Sequence, residues 1–388
     1  MKTPYPDTAS RAPAPQQPHW PDQAAAHRVR ERLARLPRLV QPEEIRLLHG
    51  RLTAVAAGEA HVVQAGDCAE DIAESTAGAV TAKVGLLDLL AGAMTLRTRR
   101  PTVRVGRMAG QYAKPRSSPV EWVNGVELPV FRGQLVNTPA PDPRGRRPDP
   151  RRMLVGHRAA RRTLAHLGWG RPDAWPYDPA PPWTSHEALL LDYETPQVRH
   201  ADGVRWLTST HWPWIGARTR DPDGAHVALL ASVANPVAVK VGPDLGPDEA
   251  LALCRRLDPH RTPGRLTFVS RMGAGRVLSR LPPLVRAVRA AGYPVVWLCD
   301  PMHGNTVRAP SGAKTRCVET VVRELAEFRE AVALAGGTAG GTHLEATPDD
   351  IAECVWADGE LPGTGSAYRT LCDPRLNPAQ AMAVVDSW

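Results

Sequence analysis

Eight residues could do chemistry together if one scaffold gathered them: Cys68, His303, Glu345 and Asp373 as one set, Arg107, Arg218, Lys240 and Arg271 as another. The first set offers a thiolate, an imidazole and two carboxylates, a mix of donors that can hold a divalent transition metal. The second offers four cations, which on converging would bind a small polyanion carrying phosphate and carboxylate. Taken singly, each residue has a plainer reading. A cysteine after a strand is often a small core hydrophobe, a lone histidine a hydrogen-bonded structural group, and a lone arginine an ion-paired surface side chain. Spacing alone does not join ligands so far apart in the chain, so the elements that carry them must.

Those elements are short apolar runs, each ending in polar residues: 61–65, 102–105, 204–207, 236–240, 266–270, 295–299, 342–345 and, more weakly, 368–371. Helix-like segments such as 79–96, 247–257, 276–291 and 315–335 lie between many of them. Strands alternating with helices eight times predict an α/β fold, a (β/α)8 TIM barrel, whose functional groups sit just after the strands' C-terminal ends. On this count Cys68, His303, Glu345 and Asp373 follow strands one, six, seven and eight, neighbours once the barrel closes. Arg107, Arg218, Lys240 and Arg271 follow strands two to five.

Two helices precede the barrel, over 21–36 and 42–57, the second opened by Pro42-Glu43-Glu44 with acids where the helix dipole favours them. Residues 1–20 are rich in Pro, Ala and Gln without period and read as a loose, disordered tail. Residues 21–388 then form one catalytic domain. Between 133 and 182, Pro and Arg crowd a long loop with one helix near 151–167, the kind of connection that covers a site.

Composition narrows the class. A chain of 388 residues, 43% hydrophobic and 23% charged, is long enough for one large barrel and is not broadly disordered. No run approaches the ~18 consecutive apolar residues of a membrane helix, and Met1-Lys2-Thr3-Pro4 opens no signal peptide, so a cytoplasmic protein with no membrane partner is expected. Six scattered cysteines read as thiols. The net charge of +8, from 48 Lys+Arg against 40 Asp+Glu, is mostly arginine. Its densest run, 144–152, is broken by Pro and lacks aromatics, which argues against nucleic acid.

Longer motifs make the reading specific. Gly66-Asp67-Cys68-Ala69-Glu70, Val105-Gly106-Arg107 running on to Lys114-Pro115-Arg116-Ser117-Ser118-Pro119, and Thr184-Ser185-His186-Glu187 resemble the type II 3-deoxy-D-arabino-heptulosonate 7-phosphate (DAHP) synthases. So do Val239-Lys240-Val241-Gly242-Pro243, Ser270-Arg271-Met272-Gly273, Cys299-Asp300-Pro301-Met302-His303-Gly304-Asn305, Gly340-Gly341-Thr342-His343-Leu344-Glu345 and Leu371-Cys372-Asp373-Pro374-Arg375. The resemblance runs from about Trp20 to the C-terminus. It implies a barrel enzyme that condenses phosphoenolpyruvate (PEP) with erythrose 4-phosphate, the first step of the shikimate pathway. Carried over, Cys68, His303, Glu345 and Asp373 hold a divalent metal, manganese or cobalt. Arg107, Arg218, Lys240 and Arg271, with Trp214 beside them, bind PEP; Lys114, Arg116 and Ser117 contact the aldose phosphate. Lys240, Glu345 and His303 are the catalytic candidates, and a homo-oligomer, a dimer, is implied.

Three departures from that family stand out: Ala217 in place of Glu, Phe131-Arg132-Gly133-Gln134 in place of Tyr-Arg-Gly-Asp, and the stretch 152–161. All three are expected around the substrate mouth, where they suggest an alternative aldehyde, such as an amino sugar phosphate in secondary metabolism. A non-catalytic, phosphometabolite-binding barrel is the reading from another class. The connection from Pro119 to Ser185 is short for the family and suggests its compact subgroup. Finally, Cys372 precedes Asp373, so barrel closure predicts Cys68 and Cys372 within disulfide reach.

Overall fold

A computed structural model describes residues 12–123, 125–170 and 180–388. Eight parallel strands close a barrel: β1 (His61–Gly66), β2 (Thr102–Arg107), β3 (Trp183–Glu187), β4 (Trp212–Ile215), β5 (Val237–Val241), β6 (Leu266–Ser270), β7 (Val296–Cys299) and β8 (Ala339–Glu345). They pair in sequence order, and β8 returns to β1. Strands such as Val237–Val241 and Leu266–Ser270 are buried along their whole length because helices cover them outside and side chains fill the interior. Outer helices include Ala77–Thr98, Arg152–Leu167, Pro247–Leu257, Val277–Ala290, Val318–Leu334 and Pro378–Asp386. Pro247 at the first turn of its helix, followed by Asp248 and Glu249, is a start that both backbone geometry and dipole favour.

The TIM barrel expected from sequence is present, but two of its strands are not where the apolar runs placed them. Residues 204–207 form an antiparallel hairpin with Val198–Ala201 outside the barrel, and 368–371 form no strand. The strands overlooked are β3 and β4. Their sequences, Trp-Thr-Ser-His-Glu and Trp-Pro-Trp-Ile, carry polar groups and a proline that argue against a central strand. Inside the barrel those polar groups are paired: Gln64 donates to Ser185 Oγ at 2.8 Å, and the Thr184 N–H donates to His211 Nδ1 at 3.0 Å. The strand count shifts accordingly. Arg218 follows β4, Lys240 lies within β5, Arg271 follows β6, His303 follows β7, Glu345 ends β8, and Asp373 sits on the segment beyond β8.

The boundary of the expected tail also moves. Residues 1–11 lie outside the described residues, but from Pro13 the chain is fastened to the barrel. Pro13 O accepts the Ala225 N–H at 2.9 Å, Gln17 donates to Leu189 O at 2.8 Å, and the buried Trp20 donates to Asp192 Oδ2 at 2.6 Å. The helix Ala77–Thr98 bears on the membrane question, although Thr81, Lys83 and Asp88 interrupt its apolar run. By length and composition it is apolar enough to cross a membrane, with a hydropathy of 1.5. It is a wall of the barrel, packed on β1, β2 and the helices Arg152–Leu167 and Pro378–Asp386.

The β8–β1 seam sets the position of the site, placing Gly66 beside Glu345 on one side and beside Arg107 of β2 on the other. Gly341 makes this closeness possible: at φ +143°, a Cβ there would run into the carbonyl of Val62. Gly341→Val should therefore leave little folded protein, read from soluble yield and circular dichroism. Gly50→Ala, in open space on the helix Pro42–Ala56, should fold and raise stability by up to ~1 kcal/mol.

Candidate active site

At the C-terminal end of the strands lies a cavity of about 830 Å³. Cys68, His303, Glu345 and Asp373 converge here, His303 and Asp373 in the cavity lining and Cys68 and Glu345 fully buried against them, with one donor atom from each within 4.8 Å of all the others. Cys68 Sγ is 3.2 Å from Asp373 Oδ2, and His303 Nε2 is 3.1 Å from Glu345 Oε1. Asp373 needs no eighth-strand position to arrive there. Arg375, two residues on, donates to Asp67 at 2.8 Å, next to Cys68, and the Leu376 N–H donates to Glu345 O at 2.9 Å. His303 is oriented by Asp300, which accepts from its Nδ1 at 2.8 Å and leaves Nε2 facing the cluster. A soft sulfur, an imidazole and two carboxylates at this spacing fit a divalent transition metal.

The cations stand close to the same cluster. Arg107 donates to Glu345 Oε1 at 2.9 Å, with its guanidinium 5.4 Å over the Trp214 ring. Lys240 pairs with Asp300, Arg271 donates to His303 O at 3.1 Å, and the exposed Arg218 donates to Ser117 Oγ at 2.7 Å. Lys114 contacts Cys68 Sγ and lies 3.1 Å from Asp373, while Arg116 pairs with Glu121 at 2.6 Å. All twelve residues singled out from the sequence are thus in or beside one cavity. The two sets interleave, however, where the strand count put them on opposite sides.

Strand-end reading missed several neighbours. Glu187, at the end of β3, lines the cavity; it was inside a quoted motif but was not singled out, because β3 was not recognised as a strand. Asp300 was inside a quoted motif, yet only the fold shows it holding both Lys240 and His303. Arg316 pairs with Glu345 at 2.8 Å, and Lys314 with Asp373 at 2.6 Å. Both come from the loop after β7, where no strand marked them. Of the three departures, Ala217 alone lines the cavity. Gln134 is buried between Ile72, whose N–H it accepts, and Asp71; Phe131 is buried under Arg146; and 152–161 belongs to an outer helix. The expectation that all three surround the mouth is corrected accordingly.

Burial and charge tune these groups in opposite directions. Burial works against the charge of Glu345, but His303, Arg316 and Arg107 together hold its carboxyl well below the usual range. Burial would lower His303; Asp300 and Glu345 reverse this and raise it to about 9. Lys240 is lowered to about 8, chiefly by burial, with Asp300 opposing. Cys68 is pushed up by burial and by the Cys372 thiol that hydrogen-bonds to it. The same contact lowers Cys372.

A closed parallel barrel with a metal-type donor set under a cationic cavity defines the class: a TIM-barrel protein with its site at the strands' C-terminal mouth. Within that class, residues 5–169 and 177–386 match the class-II DAHP synthetase family, and the chain belongs to it. A probable phospho-2-dehydro-3-deoxyheptonate aldolase of Pseudomonas fluorescens is 54% identical over 96% of this chain and 94% of its own. The phospho-2-dehydro-3-deoxyheptonate aldolases of Streptomyces coelicolor and Mycolicibacterium smegmatis are 39% and 38% identical, covering 95% and 97% of this chain and 93% and 92% of theirs.

The thiol pair yields a prediction. With oxygen as the electron acceptor, air-oxidised, metal-stripped protein should give a Cys68–Cys372 cross-linked peptide by mass spectrometry, and a reductant should restore binding of a divalent metal. Two free thiols after prolonged oxidation would contradict it.

Proposed function

We propose that this protein condenses PEP with erythrose 4-phosphate to give DAHP and phosphate, a transferase reaction at the entry to the shikimate pathway. One observation carries the reading: the cations Arg107, Lys114, Arg116, Arg218, Lys240 and Arg271 line one cavity together with His303 and Asp373, two members of a four-donor set completed by the buried Cys68 and Glu345. Cys68, His303, Glu345 and Asp373 hold the metal, manganese or cobalt. When bound, the metal supplies Lewis-acid polarisation of the aldehyde carbonyl.

The chain's own residues do the rest. Arg107, Arg218, Lys240 and Arg271 grip the PEP phosphate and carboxylate, with Trp214 forming the wall behind Arg107. Lys114, Arg116 and Ser117 take the aldose phosphate, and the Ser117–Arg218 hydrogen bond links the two substrate loops. Attack by the PEP methylene carbon on the aldehyde leaves an electron-poor C2, to which water adds before phosphate departs. Lys240 and Glu345 orient that water and move its proton. Prearranged charge of this kind stabilises the transition state without reorganisation.

Free thiols at all six cysteines, one of them a metal ligand, suit the cytoplasm. A homodimer is the assembly we assign. Ala217, which puts a methyl group at the cavity wall, supports a second reading in which the aldehyde differs from erythrose 4-phosphate.

Phosphate release from PEP with manganese and a panel of aldose phosphates tests both readings. Release with erythrose 4-phosphate is expected. PEP binding with no release from any aldehyde would leave a binding protein. Cys68→Ala should weaken manganese binding at least tenfold in a folded barrel, measured by calorimetry. Arg271→Ala should raise the KM for PEP about ten- to hundredfold, because a charge-assisted hydrogen bond contributes roughly 1.5–3 kcal/mol. PEP binding should also weaken as pH rises through about 8, where Lys240 loses its charge. Calorimetry at pH 7 and 9.5 reads this, and an unchanged affinity would remove Lys240 from the PEP grip.

A further inference from the structure

Behind the cavity, on the helix Val318–Leu334, lies a carboxylate that takes no part in the site described above. Glu324 has no solvent exposure, and among the described residues no ion pair joins it to Lys or Arg. A buried charge without a countercharge is costly, so its oxygens must be satisfied by dipoles. Glu324 Oε1 accepts the Gly273 N–H at 2.8 Å, and Oε2 accepts from Asn305 Nδ2 at 2.6 Å. Asn305 in turn donates to Pro301 O at 2.9 Å and accepts the Ala274 N–H at 3.1 Å.

These bonds join two loops that each carry a functional side chain. The loop after β6 bears Arg271, two residues before Gly273. The loop after β7 bears His303, two residues before Asn305. The loops touch backbone to backbone: a Cβ on Gly304 would lie 2.5 Å from Gly273 N, and one on Gly273, at φ +84°, would lie 3.0 Å from Gly304 O. Arg271 closes the contact from the cavity side through His303 O. Glu324 is held deep in an apolar setting, with Val321, Leu325 and Phe328 buried on the same helix, and burial raises its carboxyl to about 7.

We propose that Glu324 is a positioning residue: it clasps the Arg271 and His303 loops from behind, so that the PEP-gripping guanidinium and the imidazole of the metal set keep their spacing. This rests on the PEP and metal reading above. It acts at a distance, because it does not line the cavity; its partners are Asn305 and the backbone of Met272 and Gly273. Two acceptor oxygens are needed, since these partners are all donors. An amide offers only one, so Glu324→Gln sets an N–H against an N–H at one end of the clasp while keeping shape and volume.

The experiment uses the full chain with manganese and measures the KM and kcat for PEP, the calorimetric Kd for PEP, and the Tm. In Glu324→Gln, KM and Kd for PEP should rise about tenfold, with kcat falling less and the protein still folded. A merely structural residue would lower the Tm or the active fraction and leave the PEP constants of the folded molecules unchanged. PEP constants within twofold of wild type in folded Glu324→Gln would overturn the proposal. If that variant does not fold, Asn305→Ala removes the other half of the clasp and must show the same rise, or the proposal fails. Wild-type protein that binds PEP but turns over no aldehyde would count against the proposed reaction alone, because the Kd comparison would still decide the clasp.

Discussion

Glu345 is the charge around which this molecule is arranged. It ends β8 with no exposure, and three positive or protonatable groups reach it from different strands and loops: Arg107 from β2, His303 from beyond β7 and Arg316 from the connection after it. A carboxylate so buried keeps its charge only because those partners are in place. Each partner is held in turn. His343, kept neutral chiefly by burial, can accept from Arg107 while donating to Gln64, and Gln64 donates to Ser185. A polar chain therefore runs across the barrel interior from β8 through β1 to β3, where most barrels of this type carry branched apolar layers.

The same economy of charge explains why the two expected residue sets interleave. A thiol and two carboxylates on one side and four cations on the other would each repel internally. Placing Lys114 against Cys68 and Asp373, and Arg107 against Glu345, balances both sets before any substrate arrives.

The departures from the family separate by what surrounds them. Gln134 keeps its two hydrogen bonds to the segment after β1, and Phe131 keeps its place under Arg146, so both are answered by local packing. Ala217 has no such compensation and faces the cavity. A change buried in a wall alters stability, whereas a change at the cavity surface alters what the cavity accepts.

Much was legible in the one-dimensional chain. Helical periodicity placed five of the outer helices within a few residues, because an amphipathic face must repeat every 3.6 residues wherever it packs, but Pro378–Asp386 was not read as a helix. Six of the eight strands were visible as apolar runs, and the residues singled out lie in or beside one cavity. Strands β3 and β4 were not, because a strand lined by Thr, Ser and His, or broken by Pro213, looks polar until its partners across the barrel are known. The roles of Arg316, Lys314 and Glu324 depend on the same missing information. Composition and local pattern determine which elements form, since those depend on neighbours in the chain. Which charges meet at Glu345, and which loops Glu324 ties together, was decided only when the barrel closed, because electrostatic and hydrogen-bond partners are set by distance in space.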